Sequence, residues 1–218
     1  ADGKLVEMKA ELSKRLKTKE EARKFLQECQ NASFSIDDIN TRPLRKSPAA
    51  PFTTSTLQQE AARKLGFSVK QTMSVAQKLY ESGKITYMRT DSVTLSEDAL
   101  VEIRHYIENK LDKNFLPSKA NVYKTKAKNA QEAHEAIRPT SIYRTPEEVK
   151  PFLNNDQFRL YQMIWKRTVA SQMNPAKFDL TSVDIEMGNG IFRTTGQIQT
   201  FAGFLSVYEE DTDDDEDG

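Results

Sequence analysis

The apolar positions of this chain change their period twice. Residues 5–11 alternate apolar and charged side chains, the two-residue period of a half-buried strand. Across residues 18–30 the period lengthens. Ala22, Phe25, Leu26 and Cys29 fall on one helical face, and Thr18 with Glu21 predicts a capping box at its start. Phe34, Ile36 and Ile39 predict another extended segment, and prolines at 43, 48 and 51 make residues 41–51 read as a linker.

Helical periods dominate residues 54–173. Leu57, Ala61 and Leu65 mark one helix, with Thr56/Gln59 or Ser55/Gln58 as its cap pair and Gly66 as its stop. Ser68 with Gln71 opens the next, which places Val69, Met73, Ala76 and Tyr80 inward and ends at Gly83. Two capped helices joined by residues 66–68 predict helix-turn-helix character, or else an ordinary helical hairpin. Residues 96–111 carry a core stripe of Leu100, Ile103, Ile107 and Leu111. Thr145-Pro146-Glu147-Glu148 has an N-cap, proline at the first helical position and a capping glutamate. A long helix over 156–173 carries Phe158, Tyr161, Ile164, Trp165 and Val169, with Tyr161 and Trp165 as core residues.

After Pro175 the period returns to two. Val183, Ile185 and Met187 share one face of a strand over 180–187, and Gly188-Asn189-Gly190 signals a hairpin. Residues 191–195 and 197–201 predict two short strands, and 204–208 a last one. Strands at both ends with helices between them predict an α+β, multi-domain chain. In it a mostly helical domain is inserted into a strand domain.

Composition narrows the class. The chain has 218 residues, 37% hydrophobic and 29% charged, enough for one or two domains with a real core. No apolar run approaches the roughly 20 residues of a bilayer span, and the N-terminus lacks the apolar core of a signal peptide. One cysteine, Cys29, excludes an internal disulfide and a cysteine-based zinc site; it reads as a helix-face residue of no catalytic importance. These features predict a reducing, cytoplasmic setting. Net charge is zero, but residues 209–217 hold eight acids and no base. The rest of the chain therefore carries 32 basic side chains against 24 acidic ones, the 32 less those eight. That excess favours a polyanionic partner, and the acidic run reads as a flexible tail.

The chemistry concentrates in Ile85-Thr86-Tyr87-Met88-Arg89-Thr90-Asp91-Ser92. In extended backbone, residues i and i+2 face one side, so Tyr87 and Arg89 would meet one ligand together. A phenol beside a guanidinium suits attack on a phosphodiester, with the arginine holding the phosphate through paired hydrogen bonds. The competing reading is a buried tyrosine and a surface arginine paired with Asp91 or a helix carboxylate. Gln131, His134 and Arg138 fall at i, i+3 and i+7 of a short helix bounded by Pro139. An amide, an imidazole and a guanidinium on one face would suit a phosphate. His105 reads as a satisfied surface histidine. Thr54, Ser55 and Thr56 serve equally as phosphate contacts or helix caps. No glycine-rich loop of the P-loop type is present.

Four runs carry a family resemblance: residues 51–67 (PFTTSTLQQEAARKLGF) with 68–85, KITYMRTDSVTLSEDAL, AQEAHEAIRPT, and LYQMIWKRTVASQMNPAKFD. In this order and register the chain resembles type IA DNA topoisomerases, in their bacterial topoisomerase I branch, over roughly residues 48–205. The resemblance implies that Tyr87 is the nucleophile forming a 5′-phosphotyrosine, that Arg89 clamps the phosphate and that His134 is the active-site histidine. From the residues themselves, Thr90 and Ser92 would hydrogen-bond around the tyrosine, or Asp91 with Ser92 only shape a turn, and Gln131 and Arg138 would bind phosphate or DNA; the resemblance adds a minor place for Gln77 near the active site. It further implies an arch domain over 1–47 and 175–208, a helical tyrosine-bearing domain over 48–174, and the acidic tail over 209–218.

The implied reaction is ATP-independent relaxation of negatively supercoiled DNA by single-strand cleavage, strand passage and religation. Its partner is a single-stranded region of the duplex. The family also carries an acidic Toprim domain that binds Mg²⁺. No part of residues 1–208 matches it, and Asp211-x-Asp213-x-Asp215 in the tail is only a superficial likeness. The chain is therefore expected to be an internal fragment without a metal site of its own, inactive or weak alone, and dependent on a metal domain elsewhere in the same protein. Two other classes stay open. One is a non-enzymatic helix-turn-helix DNA-binding module reading bases through Lys70, Gln71, Gln77 and Lys78. The other is a tyrosine nuclease or recombinase of another family.

Overall fold

The computed structural model describes residues 7–124 and 135–208. It mixes helices with one four-stranded sheet, and its chain divides into two compact units: residues 1–45 with 177–201, and residues 46–176 with 202–218.

The first unit is the sheet with one helix. β1 (Glu11–Leu12), β2 (Ser35–Lys46), β3 (Ala176–Met187) and β4 (Gly190–Phe201) lie in the order β1-β4-β3-β2. β3 and β4 form an antiparallel hairpin running from Met187↔Gly190 to Lys177↔Phe201. β4 is one strand, not the two predicted, because Gly196 stays in register opposite Thr181. The strand expected over 5–11 is, among the described residues, only the two-residue β1, which pairs with Arg193 and Phe192 of β4.

The linker reading of 41–51 is corrected over its first half, since β2 continues to Lys46 through Pro43. β2 lies at the end of the sheet order. An edge strand leaves one row of backbone groups outside the ladder, which is where a residue without an N–H is tolerated. Helix α1 (Lys19–Gln30) is capped by Thr18, whose side chain accepts from the Glu21 N–H. The Glu21 carboxylate reaches one residue further back, to the Lys17 N–H. Phe25 of this helix lies over the hairpin, and a Cβ at Gly190 would stand 2.7 Å from its ring. Only glycine allows so close an approach.

The second unit is helical and holds most of the core. α2 (Thr54–Leu65) and α3 (Val69–Glu81) are joined by Gly66, which turns the chain at φ +70°. The cap of α2 is Thr53 with Thr56, in a reciprocal box, rather than either predicted pair. α3 turns by about one residue from the prediction. Its buried face is Thr72, Val75, Ala76 and Leu79, while Val69 and Tyr80 are exposed. α4 (Glu97–Tyr106) continues as one π-turn, Ile107–Leu111. The short α5 (Pro146–Val149) carries the predicted Thr145/Glu148 box.

α6 (Asn155–Ser171) is the spine of this unit. Leu160, Tyr161, Ile164 and Val169 are fully buried. Each large aliphatic side chain so buried contributes about 1.5–3 kcal/mol relative to exposure. Both aromatic core residues keep their polar tips satisfied: the Trp165 indole donates to the Ile142 carbonyl and the Tyr161 hydroxyl to that of Arg144. Burial pushes the Tyr161 phenol well above its usual range.

The strand predicted over 204–208 is a 3₁₀ turn, Gly203–Ser206. Phe204 and Tyr208 are four residues apart, a helical rather than an alternating spacing, and both are buried in the helical unit. The Tyr208 hydroxyl donates to the Glu60 carboxylate at 2.6 Å. No described helix is long and apolar enough to cross a membrane.

Candidate active site

α3 ends at Glu81 with Ser82 as its C-cap, and Gly83 (φ +66°) sends the chain into the segment that carries Tyr87. Residues 84–92 form no regular strand, yet exposure alternates from Tyr87 to Ser92. Met88, Thr90 and Ser92 are buried, while Tyr87, Arg89 and Asp91 are exposed. The i, i+2 expectation therefore survives without a ladder: phenol and guanidinium lie on the outward positions of one segment. Tyr87 is 40% exposed, and the Tyr80 ring meets it edge-on at 5.2 Å between centroids. The prediction had put Tyr80 in the core. Its place beside Tyr87 follows from α3 burying Leu79 instead, and the spacing Gln77–Tyr80–Glu81 (i, i+3, i+4) was the available signal.

Two threonines, Thr54 from outside the segment and Thr86 within it, tie the segment to its neighbours. Thr54, the first residue of α2, donates its backbone N–H to the Thr90 carbonyl at 2.9 Å. Its hydroxyl donates to the Met88 carbonyl at 2.8 Å, with the Thr90 carbonyl 3.1 Å away, and accepts from the Thr90 N–H at 2.9 Å. Thr86 makes the complementary set with the chain after residue 135. Its N–H donates to the Arg138 carbonyl, and its hydroxyl donates to the Ala136 carbonyl at 2.7 Å and accepts from the Arg138 N–H at 2.9 Å. Bridges Phe52↔Ile137 and Ile85↔Pro139 complete this stitching. The neutral hydroxyls of Thr54 and Thr86 thus tie three chain segments together, and Thr54 is a pin rather than an exposed contact.

The other predicted residues separate into groups. Thr90 and Ser92 are buried, and their hydroxyls accept from the N–H two residues on, Ser92 and Thr94 respectively; they shape turns behind the exposed side. The Gln77 amide donates to Glu81 on the same helix. His134 and Gln131 lie outside the described residues.

The short helix expected to carry Arg138 is corrected over residues 135–139, which are extended and bridge to Phe52 and Ile85. Pro139 disfavours helix at the residue before it, so a shared helical face cannot include Arg138. Its guanidinium binds Glu135 through Nε and Nη2, at 3.1 and 2.7 Å, and donates to the Pro139 carbonyl. Glu135 also accepts from the Ser96 N–H that opens α4. Burial works against the charged Glu135 carboxyl, but the bonds from Ser96 and Arg138 outweigh it and lower its pKa. His105 pairs with the Tyr143 hydroxyl, a satisfied structural partner. Among the described residues no three His, Cys, Asp or Glu side chains converge on a metal position. These described residues do not fit a Mg²⁺ site.

The sequence model described as DNA topoisomerase matches residues 1–218. DNA topoisomerase 1 of Xylella fastidiosa (strain Temecula1) is 53% identical over 212 residues, covering 90% of this chain and 26% of that protein. DNA topoisomerase 1 of Zymomonas mobilis is 50% identical over 187 residues, covering 85% of this chain and 15% of that one. The solved structure of full-length topoisomerase I from Thermotoga maritima superposes with a TM-score of 0.77 at 36% identity, over 93% of this chain and 34% of that one. The chain spans about a quarter of the length of the Xylella relative.

Proposed function

This chain belongs to the DNA topoisomerase family, and from that premise we propose that it is the tyrosine-bearing segment of a bacterial type IA enzyme. The whole enzyme relaxes negatively supercoiled DNA in the cytoplasm, acting on a single-stranded stretch of the duplex. Tyr87 Oη attacks a backbone phosphorus and forms a P–O bond. The bond to the 3′ oxygen breaks, the phenol proton is given up, and the leaving oxygen takes a proton to become a free 3′-hydroxyl. The 5′ phosphate is now esterified to Tyr87. Religation is the same exchange in reverse, so one ester is traded for another and no nucleotide is consumed.

Arg89 faces the non-bridging oxygens, where negative charge accumulates as phosphorus becomes five-coordinate, and its fork of N–H donors stabilises that charge. His134 is the candidate proton carrier. The Mg²⁺ that the family resemblance implies belongs to a metal domain outside this segment. The strand unit takes the part of the arch, and the helical unit is the domain it carries. The two outward positions Tyr87 and Arg89, on a segment pinned at Thr54 and Thr86, carry this reading.

A helix-turn-helix module reading bases is the lesser alternative. Two of its four candidate readers are committed within the protein, Gln71 to Asp156 and Gln77 to Glu81. The readings part at one side chain. In the full-length protein carrying this segment, labelled single-stranded DNA and Mg²⁺ should leave a denaturation-resistant adduct on Tyr87. Tyr87→Phe should abolish the adduct and leave non-covalent DNA binding in place. An adduct of equal abundance in Tyr87→Phe refutes the proposal.

A further inference from the structure

We infer that Thr54 is a positioning residue for strand cleavage: its hydroxyl and backbone N–H fix where the Tyr87 phenol stands. The inference rests on the reading of Tyr87 as the nucleophile.

The first N–H groups of a helix have no partner inside it. At α2 the Thr53 cap deals with the Thr56 N–H. The Thr54 N–H is instead directed out of the helix onto the Thr90 carbonyl. The Thr54 side chain then bonds both flanks of Arg89, through the carbonyl of Met88 and the N–H of Thr90. The hydroxyl is held from both sides, as donor to the Met88 carbonyl and as acceptor from the Thr90 N–H, so it behaves as a fixed peg rather than a swinging contact.

The peg is itself anchored. Just upstream, the Phe52 carbonyl accepts from the Ile137 N–H, and the Phe52 ring, 1% exposed, lies under the Arg167 guanidinium at 4.9 Å. Arg167 Nε also donates to the Ala50 carbonyl. The line of support therefore runs from α6 through residues 50–54 to the backbone on either side of Arg89. The residues at 87 and 89 face outward and gain their placement from the buried residues between and after them. Without the Thr54 hydroxyl the Met88 carbonyl and Thr90 N–H lose their shared partner, and the segment that presents the phenol is free to shift.

Catalytic placement is sensitive at this scale, since a misplacement of about 1 Å can cost on the order of a hundredfold in rate. Thr54→Val keeps the shape and removes both hydroxyl bonds. Thr54→Ser restores the hydroxyl without the methyl group. Thr72→Val is the control for lost stability alone: Thr72 is a fully buried threonine of the same unit whose hydroxyl, among the described residues, bonds the Ser68 carbonyl of its own helix start.

In the full-length protein we expect Thr54→Val to slow single-turnover cleavage of labelled single-stranded DNA by roughly ten- to a hundredfold. Its non-covalent DNA Kd should stay within about twofold of the parent, a change worth less than about 0.5 kcal/mol. Thr54→Ser and Thr72→Val should both cleave near the parent rate. Should Thr54→Val prove unfolded, Thr54→Ala and Thr54→Ser are compared in the same assay at a temperature where both are folded, and the serine must cleave faster. Parent-like cleavage by the folded Thr54→Val, equal slowing by Thr72→Val, or equal rates for Thr54→Ala and Thr54→Ser would each overturn the inference. A surviving adduct in Tyr87→Phe would instead remove the reading beneath it, so the two failures are separable.

Discussion

Glu135 ties two functions together at the scale of one side chain. One carboxylate oxygen caps the start of α4 at Ser96, and the other holds Arg138 at 2.7 Å, immediately after the stretch containing His134. The folded state favours its charged form despite burial, because the bonds from Ser96 and Arg138 outweigh the desolvation. A carboxyl lowered on folding adds stability above its unfolded pKa, and that stability is lost as pH falls through the folded value. Glu135→Gln should therefore lower Tm at pH 7, and the gap to the parent should close as pH drops below the ordinary 4.5 of a glutamate. Thermal melts at intervals across pH 3–7 check this, and a gap independent of pH would show that the charge is not what holds the site. The same residue engages the Arg138 guanidinium through Nε and Nη2.

At the scale of elements, local signals were legible and remote ones were not. The Gly66 stop of α2 was readable, because a left-handed turn is a property of one residue. Gly66→Ala meets no atom within 4 Å, so its cost is purely conformational. Holding an alanine at φ +70° should destabilise by about 1–2 kcal/mol, seen as a lower urea midpoint at unchanged m. The caps at Ser68 and Thr145 were readable for the same reason.

Three features were not. β2 passes through Pro43 because the strand is at a sheet edge, a fact of the assembled sheet. Phe204 and Tyr208 leave the strand pattern to plug a helical core whose other side is up to 148 residues away in the chain. The pin at Thr54 joins residues 36 apart, and that at Thr86 residues 52 apart. At the candidate site, the outward alternation of Tyr87 and Arg89 could thus be read from the sequence, whereas the scaffold behind them could not.

At the scale of the whole molecule, charge is unevenly placed. Eight acids crowd residues 209–217, and the remainder carries an excess of eight positive charges, 32 against 24. Deleting residues 209–217 should tighten binding of single-stranded DNA at low salt. The advantage should fade as ionic strength rises past about 0.15 M, where the Debye length is about 8 Å. Fluorescence anisotropy titrations at several salt concentrations test this, and identical affinities at every salt would show that the acidic run does not act on DNA through its field.

The return of the chain to the helical unit after the sheet has a practical meaning for anyone dissecting the protein. Cutting out residues 46–176 as one continuous piece would discard Phe204 and Tyr208, and with them the phenol that answers the Glu60 carboxylate. Gene boundaries drawn by sequence alone would yield a domain with a hole in its wall. A sound excision must splice the closing turn back on across a short bridge replacing the hairpin.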